Sequence, residues 1–419
     1  MRLRPLPQSG LTAVAIVLTI TMTAGRWGGL TTSLSLLAFA WCLLIITLLI
    51  LRPRPVDLDV FRHPALGLGV GAFTVLPLIG VLAGRGSLSS AAAFGVGLSL
   101  VAAYAMGQYL AADRFDISTS LLVILGANLL FVLSQIAAFN GFPVLNQLNA
   151  FDLDSKFGAG YFIVARPSGL FLNPNDLGSF AAVILCYSMV VHLRQRMTTI
   201  ALSSILVLAS GSRGALLAVG VIMAWLVGRR YFSTTGQLLR LGRIAAMVGV
   251  AIALLLAFGP DVLIERLQFR GGVAADSSVS GRFDQLADLW DWMLTYPLGY
   301  WSPPQLLSGT AIDNDWTRVL VQGGPLLLLL WAAGLVVLGT YLRNVGPAMA
   351  APAIAVAVLS FSQLTVGRPT GLLFFFLVGY HHRLTLVAAL QRSQRHISIG
   401  ADRRSTFAHG RRPQVVHHG

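Results

Sequence analysis

The chain has 419 residues, of which 55% are hydrophobic and only 11% are charged, and its mean hydropathy is +0.74. About a quarter of the residues of an ordinary soluble domain are charged, so this composition excludes that class and predicts an integral membrane protein. The formal net charge of +14 would suggest nucleic acid as the partner of a soluble protein. In a membrane protein the positive-inside rule explains such a charge, so we expect no nucleic-acid partner.

Apolar runs of membrane-spanning length recur along the chain and are separated by short polar breaks. They predict an all-α polytopic membrane protein with about twelve transmembrane helices, at 10–25, 30–51, 65–83, 87–111, 117–138, 177–193, 198–210, 213–228, 244–258, 319–342, 348–366 and 369–387. An even number of spans puts both termini on one side, and the breaks on that side hold most of the arginines. We therefore expect a protein of the cytoplasmic (inner) membrane with both termini in the cytoplasm.

The domain organisation follows from these spans. We expect a single polytopic membrane domain over 1–387, followed by a disordered basic cytoplasmic tail over 388–419, because the tail mixes Arg, His, Ser and Gly with few large apolar residues. Two outer loops are long, at about 139–176 and 259–318, and long loops in compact proteins are usually functional or disordered. The second loop contains an amphipathic stretch over 281–297, which predicts a surface helix or lid at the membrane interface.

The first polar cluster is the stretch "ARPSGLFLNPNDLGSF" over 165–180, just before a predicted span. Its candidate substrate-binding residues are Arg166, Asn173 and Asn175. The alternative explanation for these polar residues is structural, because Asn175 or Asp176 is a residue type that caps a helix beginning near 177. Capping does not explain Arg166.

The second cluster is "ASGSRGALLAVG" over 209–220, in which Ser212 is a candidate N-cap and Arg213 opens the next apolar run. A cation in the first turn of a helix is disfavoured by the helix macrodipole unless an anion binds there. A helix N-terminus together with an arginine is a favourable site for phosphate, so Arg213 is a candidate substrate-binding residue. The alternative is an arginine that extends to interfacial water.

The third cluster is "AIDNDWTRVLVQGG" over 311–324, at the end of the second long loop. Asp313 or Asp315 is a candidate carboxylate base near the membrane surface. The alternatives are that Asp313 or Asn314 caps the next helix, and that Asp315 and Arg318 form an i,i+3 ion pair on its surface.

All three clusters fall on the predicted outer side, whereas the interiors of the spans contain essentially no Asp, Glu, Lys or Arg. Transporters and proton pumps usually carry ionisable groups inside the bilayer, so this distribution favours chemistry at the outer membrane–water boundary. Cys42 and Cys186 both fall in apolar spans, where they indicate buried small side chains and neither a disulfide nor a metal pair. The chain has no Walker, zinc or dinucleotide motif, so we expect no metal and no cofactor.

In this order the clusters resemble the O-antigen ligase and O-antigen polymerase-like membrane glycosyltransferases. The likeness covers about 65–385 and rests on Arg166 to Gly178, on Ser210-Gly-Ser-Arg213-Gly-Ala, on Ser280-Gly-Arg282, and on Asp313-Asn314 through Gly323-Gly324. It implies metal-independent, inverting transfer of a glycan from an undecaprenyl-diphosphate-linked donor in the membrane to a hydroxyl of an acceptor glycan, at the outer face.

The same resemblance implies roles for individual residues. Arg166, Arg213 and Arg282, together with Arg318, are candidates to hold the diphosphate. Asp313, or less favourably Asp315, is the candidate catalytic base. Asn173, Asn175 and Asn314 are further candidate substrate-binding residues.

Neither long outer loop contains a histidine, which ligases of this kind typically carry near the position of the "DND" sequence. The aspartate favours a polymerase-type member, in which the lipid-linked chain is transferred to the next repeat unit. For such a polymerase the candidate partners include a chain-length regulator. A ligase-type transfer to another envelope acceptor is the first alternative. A transporter or flippase of lipid-linked glycans is the second.

Overall fold

The computed structural model describes residues 56–84, 95–112, 116–139, 167–171, 174–230, 289–300, 306–307, 310–311, 314–345, 349–363, 365 and 368–409. These residues are almost entirely helical. The helices are α1 (Asp59–Arg62), α2 (Pro64–Leu82), α3 (Gly95–Ala112), α4 (Ile117–Phe139), α5 (Pro174–Val190), α6 (Arg196–Ser210), α7 (Arg213–Arg230), α8 (residues 289–295), α9 (Asp315–Val345), α10 (Ala350–Ser362) and α11 (Pro369–His409). Two short antiparallel strands, β1 (Leu306–Leu307) and β2 (Thr310–Ala311), precede α9 and pair Leu306 with Ala311.

Every predicted span that falls in the described part of the chain corresponds to a helix, and the predicted spans 10–25, 30–51 and 244–258 lie outside it. Three of the described helices are long and apolar enough to cross a membrane: Ile117–Ala137, Asp315–Leu342 and Pro369–Leu390. The described part of the chain is therefore that of a helical integral membrane protein, as predicted, with one short two-stranded hairpin beside the helices. The count of twelve spans and the side on which the termini lie stay predictions.

Helix α5 lies in the middle of the described bundle and packs against α6, α7, α10 and α11. Its residues from Leu177 to Met189 are all buried. Helices α3 and α11 cross at close range, because a Cβ atom on Gly107 would collide with the carbonyl of Phe376 and one on Gly379 with the carbonyl of Tyr104. Small residues at such a crossing let two helix backbones touch, which is a common way of packing helices in a membrane.

A buried polar network ties α3, α9 and α11 to the segment before α1. The Tyr104 hydroxyl lies 3.0 Å from the Tyr341 hydroxyl and 2.6 Å from Nδ1 of His382. The side chain of Gln108 bonds both backbone groups of Asp57, accepting from its N–H at 2.8 Å and donating to its carbonyl at 2.6 Å. These hydrogen bonds satisfy polar groups that would otherwise be costly to bury in the bundle.

Helix α9 is broken near its beginning. Gly324 has φ 67°, outside the helical region, and is followed by Pro325. Because proline has no backbone N–H, the carbonyl of Val321 cannot receive its usual helical hydrogen bond. It accepts instead from the backbone N–H of Tyr300 at 2.9 Å and from the indole N–H of Trp292 at 3.4 Å. The break therefore attaches α8 and the turn after it to α9.

Helix α11 continues to His409, so residues 388–409 are helical and differ from the disordered tail that the composition predicted. A proline-free stretch directly after a membrane-length helix can extend that helix, since propagation adds one hydrogen bond for each residue fixed. Residues 410–419 lie outside the described part. The division into a membrane domain and a tail stays a prediction.

Candidate functional site

The N-terminal turns of α5, α7, α9 and α11 meet at one end of the bundle. A Cβ atom on Gly178, the fifth residue of α5, would lie 2.5 Å from Oγ of Ser210 and 2.7 Å from Cβ of Ser212. The hydroxyls of Ser179 on α5 and Thr370 on α11 lie 2.8 Å apart. The first of these contacts joins the predicted 165–180 cluster to the predicted 209–220 cluster.

The boundary between α6 and α7 forms as predicted. Gly211, at φ 57°, ends α6 in the left-handed conformation that glycine adopts without strain. The hydroxyl of Ser212 accepts a hydrogen bond from the backbone N–H of Ala215 at 3.4 Å, which confirms Ser212 as the N-cap of α7. Arg213 is the first residue of that helix and is half-buried.

Asn314 caps α9, because its Oδ1 accepts a hydrogen bond from the backbone N–H of Thr317 at 2.8 Å. The structural alternative for Asn314 is therefore confirmed, while a role in substrate binding stays a prediction. Asp315 is almost completely buried. One of its carboxylate oxygens, Oδ2, accepts hydrogen bonds from both the backbone N–H of Thr365, at 2.8 Å, and the hydroxyl of Thr365.

Four charged side chains, two arginines and two aspartates, lie at this end of the bundle. A guanidinium nitrogen of Arg368, just before α11, lies 3.6 Å from Oδ2 of Asp176 on α5. Arg318, one turn into α9, interacts electrostatically with Asp315, which attracts it, and with Arg368, which repels it. Two cations and two carboxylates from three separate segments therefore form one charged cluster, which we call the helix-start charge cluster.

The carboxyl group of Asp176 is buried and precedes the predicted span 177–193. Burial raises its pKa, because a low-dielectric surrounding disfavours the charged form, and the nearby Arg368 opposes this effect. The ion pair with Arg368 thus stabilises a carboxylate that burial alone would favour in its neutral form.

The loop over 167–171 is attached to α4 by two amide side chains. Oε1 of Gln135 accepts hydrogen bonds from the backbone N–H groups of Ser168, at 2.9 Å, and Gly169, at 3.0 Å. Oδ1 of Asn128 accepts from the backbone N–H of Leu170 at 3.1 Å. The sequence presented Asn128 and Gln135 only as isolated polar residues within a span, and the structure shows that they hold the loop that follows Arg166.

Of the predicted site residues, Arg166, Asn173, Arg282 and Asp313 lie outside the described part of the chain. The others begin helices at the same end of the bundle: Asn175, Arg213, Asn314, Asp315 and Arg318. Helix α7 contacts the end of α10 directly, because a Cβ atom on Gly214 would collide with the side chain of Ser362, which lies three residues before Thr365. The catalytic and binding roles of these residues stay predictions.

Sequence reasoning missed Thr365 and Arg368, and treated Asp176 only as a candidate cap. The available signal was the position of Arg368 at a polar break between two apolar runs, directly before Pro369, a residue type that favours the first helical position. Nothing local in the sequence pairs these residues with Asp176 or Asp315. Within the described residues no group of three His, Cys, Asp or Glu side chains is arranged to hold a metal ion.

Residues 198–332 match the sequence model of the family described as O-antigen ligase. The matched segment includes Arg213, Asp315 and Arg318, and it ends before Arg368. No curated protein and no solved structure matches the chain. The match covers less than half of the chain and shows a likeness of this segment to the O-antigen ligase family.

Proposed function

From this partial family match, we propose that the protein is a glycosyltransferase of cell-envelope polysaccharide biosynthesis. The family suggests a ligase or polymerase type of activity on lipid-linked glycans. We propose further that the donor is an undecaprenyl-diphosphate-linked glycan, that the acceptor is a glycan hydroxyl at the outer face of the cytoplasmic membrane, and that the reaction is of the polymerase type.

The observation that carries this proposal is the position of the cations. Arg213 and Arg318 lie within the matched segment, and both stand in the first turn of a helix at the same end of the bundle. Arg368, from outside the match, interacts electrostatically with Arg318. Arginine side chains beside helix N-termini suit a phosphate-bearing ligand, because charged donors and backbone N–H groups converge there.

In the proposed reaction, the acceptor hydroxyl oxygen attacks the anomeric carbon of the donor from the face opposite the diphosphate. The bond between that carbon and the phosphate oxygen breaks, and its electron pair leaves with the diphosphate. The arginines stabilise the charge that develops on the leaving group. Removal of one such donor raises the barrier by about 3 kcal/mol in comparable anion-stabilising sites.

A carboxylate accepts the proton of the acceptor hydroxyl. Because Oδ2 of Asp315 already receives two hydrogen bonds from Thr365, Asp315 is better suited to positioning than to proton transfer. This favours Asp313 as the base, in agreement with the order of preference from the sequence.

The test is to incubate the purified protein in liposomes with a synthetic undecaprenyl-diphosphate oligosaccharide and to measure the product masses. We expect a ladder of longer lipid-linked glycans, and its loss in Arg213→Ala. Arg62→Ala is the matched control, because Arg62 is exposed and pairs only with Asp59 on the same short helix among the described residues.

Each other outcome has a defined meaning. Transfer that occurs only after an envelope acceptor is added would replace the polymerase by a ligase. An unchanged ladder in Arg213→Ala would contradict the diphosphate-binding role of that residue. The absence of any covalent product under either condition would contradict a glycosyltransferase and favour transport.

A further inference from the structure

The short helix α8 and the turn after it carry three large apolar side chains that are mostly exposed. Trp290, Leu294 and Leu298 are 65%, 70% and 64% exposed. They recur every four residues, so they form one row, which we call the α8 apolar row. Because α8 lies outside every predicted span, a predicted crossing of the membrane does not explain the row. Neighbouring exposed apolar side chains of this size indicate an interaction surface.

The other two sides of α8 face different surroundings. Helical residues follow each other at about 100° around the axis, so the side chains of α8 fall into three groups. Leu289 and Trp292 pack against Val321 of α9. Asp291 and Thr295 form a polar, exposed side, and the α8 apolar row lies between these two sides. A helix with separate apolar and polar exposed sides suits the interface of a bilayer, where one side contacts lipid and the other contacts water.

The attachment of α8 to α9 sets its height in the membrane. The carbonyl of Val321 binds the turn after α8, and the break of α9 follows at Gly324. At about 1.5 Å per residue, residues 325–342 after the break extend about 27 Å. This length is close to the hydrocarbon thickness of a bilayer, which is roughly 30 Å. The break, and α8 with it, therefore lies at the boundary of the hydrocarbon.

The α8 apolar row also adjoins a surface that faces lipid. A Cβ atom on Gly324 would lie 2.4 Å from the carbonyl oxygen of Pro297 and 3.1 Å from the carbonyl carbon of Leu298. The backbone of the turn therefore lies directly against the break. Leu326 and Leu329, just after the break, are largely exposed on a helix of membrane-spanning length, so they contact lipid. The row continues this apolar surface at the level of the break.

We propose that α8 is an interfacial membrane anchor, whose apolar row is embedded in the lipid of the bilayer that the protein itself spans. The sequence alone was equally compatible with a lid, which would cover the row with protein. The only charged residue of α8 is Asp291, so the anchor depends on apolar contact and does not require anionic lipid. Through Val321 the anchor holds the beginning of α9, with Asp315 and Arg318, near the membrane boundary. Anchoring of this kind is independent of the proposed activity.

The test measures the depth of two α8 positions in the full-length protein, reconstituted in phosphatidylcholine liposomes. Leu294→Cys and Asp291→Cys are each labelled with a nitroxide in a Cys42→Ala background. Cys186 stays in place, because it is fully buried in α5 and therefore protected from the reagent. Both replaced side chains are exposed, so the labels do not disturb the packing of α8 on α9. Collisions with O2, which concentrates in hydrocarbon, and with a water-soluble nickel complex give the depth of each label.

We expect the label at position 294 to lie about 5–10 Å below the headgroup boundary, the usual depth of an interfacial helix. The label at position 291, three residues away on the polar side, should collide mainly with the nickel complex. Leu130→Cys provides the reference for a lipid-facing side chain, because Leu130 is 68% exposed within the membrane-length helix α4. Replacing part of the phosphatidylcholine by phosphatidylglycerol should leave the depth at position 294 unchanged.

Three results would overturn the proposal. A label at position 294 that collides mainly with the nickel complex would show that the row lies in water. Protection of that label from both probes would show that protein covers the row, as a lid contact or as a contact with a second copy of the chain. A depth that increases with phosphatidylglycerol would contradict an attachment based on apolar contact alone. If Leu294→Cys does not elute as a single species, Trp290→Cys tests the same row.

Discussion

Thr365 donates two hydrogen bonds to a single carboxylate oxygen of Asp315, although the two residues are 50 positions apart in the chain. One donor is the backbone N–H of Thr365 and the other is its hydroxyl. The contact joins the first turn of α9 to the connection between α10 and α11, which also contains Arg368. It thereby fixes two parts of the helix-start charge cluster relative to each other.

Thr365→Val keeps the shape of the side chain and removes the hydroxyl donor. We expect the free energy of unfolding to fall by about 2 kcal/mol, because a hydrogen bond to a charged group contributes roughly 1.5–3 kcal/mol. Thr340→Val is the control, since the hydroxyl of Thr340 bonds the carbonyl of Val337 on an exposed helix face. Unfolding of each variant in mixed micelles measures the difference, and equal losses for Thr365→Val and Thr340→Val would contradict the prediction.

Gly178→Ala introduces a methyl group where Ser210 and Ser212 leave no room. Overpacking of this kind costs about 1–3 kcal/mol, and relief of the clash would move the first turn of α7, which begins with Arg213. We therefore expect both a lower midpoint of thermal unfolding and a slower glycan transfer.

Gly126→Ala is the matched control for Gly178→Ala, because a Cβ atom on Gly126 in α4 would meet nothing within 4 Å. Alanine within a helix is more favourable than glycine by roughly 0.5–1 kcal/mol, so this variant should be at least as stable as the unmodified protein. A Gly178→Ala protein that behaves like Gly126→Ala would show that α5 and α7 are not in such close contact.

Gln135→Leu removes the acceptor of two buried backbone N–H groups, those of Ser168 and Gly169. Each buried donor left without a partner costs about 1–3 kcal/mol, so the loop over 167–171 should open more often. Hydrogen exchange at these amides should become faster, and mass spectrometry of the peptide that contains them measures the rate. Ser134→Ala is the control, because Ser134 is the exposed neighbour of Gln135 and its hydroxyl bonds the carbonyl of Leu130 in the preceding turn. The exchange rate of the 167–171 amides should not change in this variant. Faster exchange in Ser134→Ala as well would indicate a general loosening of α4.

The Asp176 carboxyl predicts a pH dependence of stability. Because burial raises its pKa in the folded protein, the folded state binds this proton more tightly than the unfolded state does. For such a group, stability rises as the pH falls through the raised pKa, and the gain is complete below the ordinary pKa of an aspartate. The prediction is therefore a stabilising contribution that grows on acidification.

Asp176→Asn should lack this contribution, which thermal unfolding of the two proteins at neutral and mildly acidic pH measures as a difference. Asp59→Asn serves as the control, because Asp59 is exposed and pairs with Arg62 on α1. A pH response of Asp176→Asn identical to that of the unmodified protein would rule out Asp176 as its source.

The helices and several of their boundaries were predictable from local sequence. Every predicted span within the described residues is a helix, since a segment in a bilayer has to satisfy its backbone hydrogen bonds internally. The start of α7 at Arg213 was equally predictable, because Ser212 is a strong capping residue and its hydroxyl acts within three residues. The helical continuation of α11 over 388–409 was not, since a polar composition is compatible with either state.

The sequence by itself determined that this is a helical membrane protein with its polar residues gathered near helix beginnings, because apolar length and capping are local properties. Only the tertiary structure decided which of those residues meet. The pair Asp176 and Arg368, the pair Asp315 and Thr365, and the attachment of the 167–171 loop by Asn128 and Gln135 all join distant segments. Such pairs depend on which helices become neighbours, and packing between segments determines this. Gly178 is an example, because its small size lets α5 approach Ser210 and Ser212.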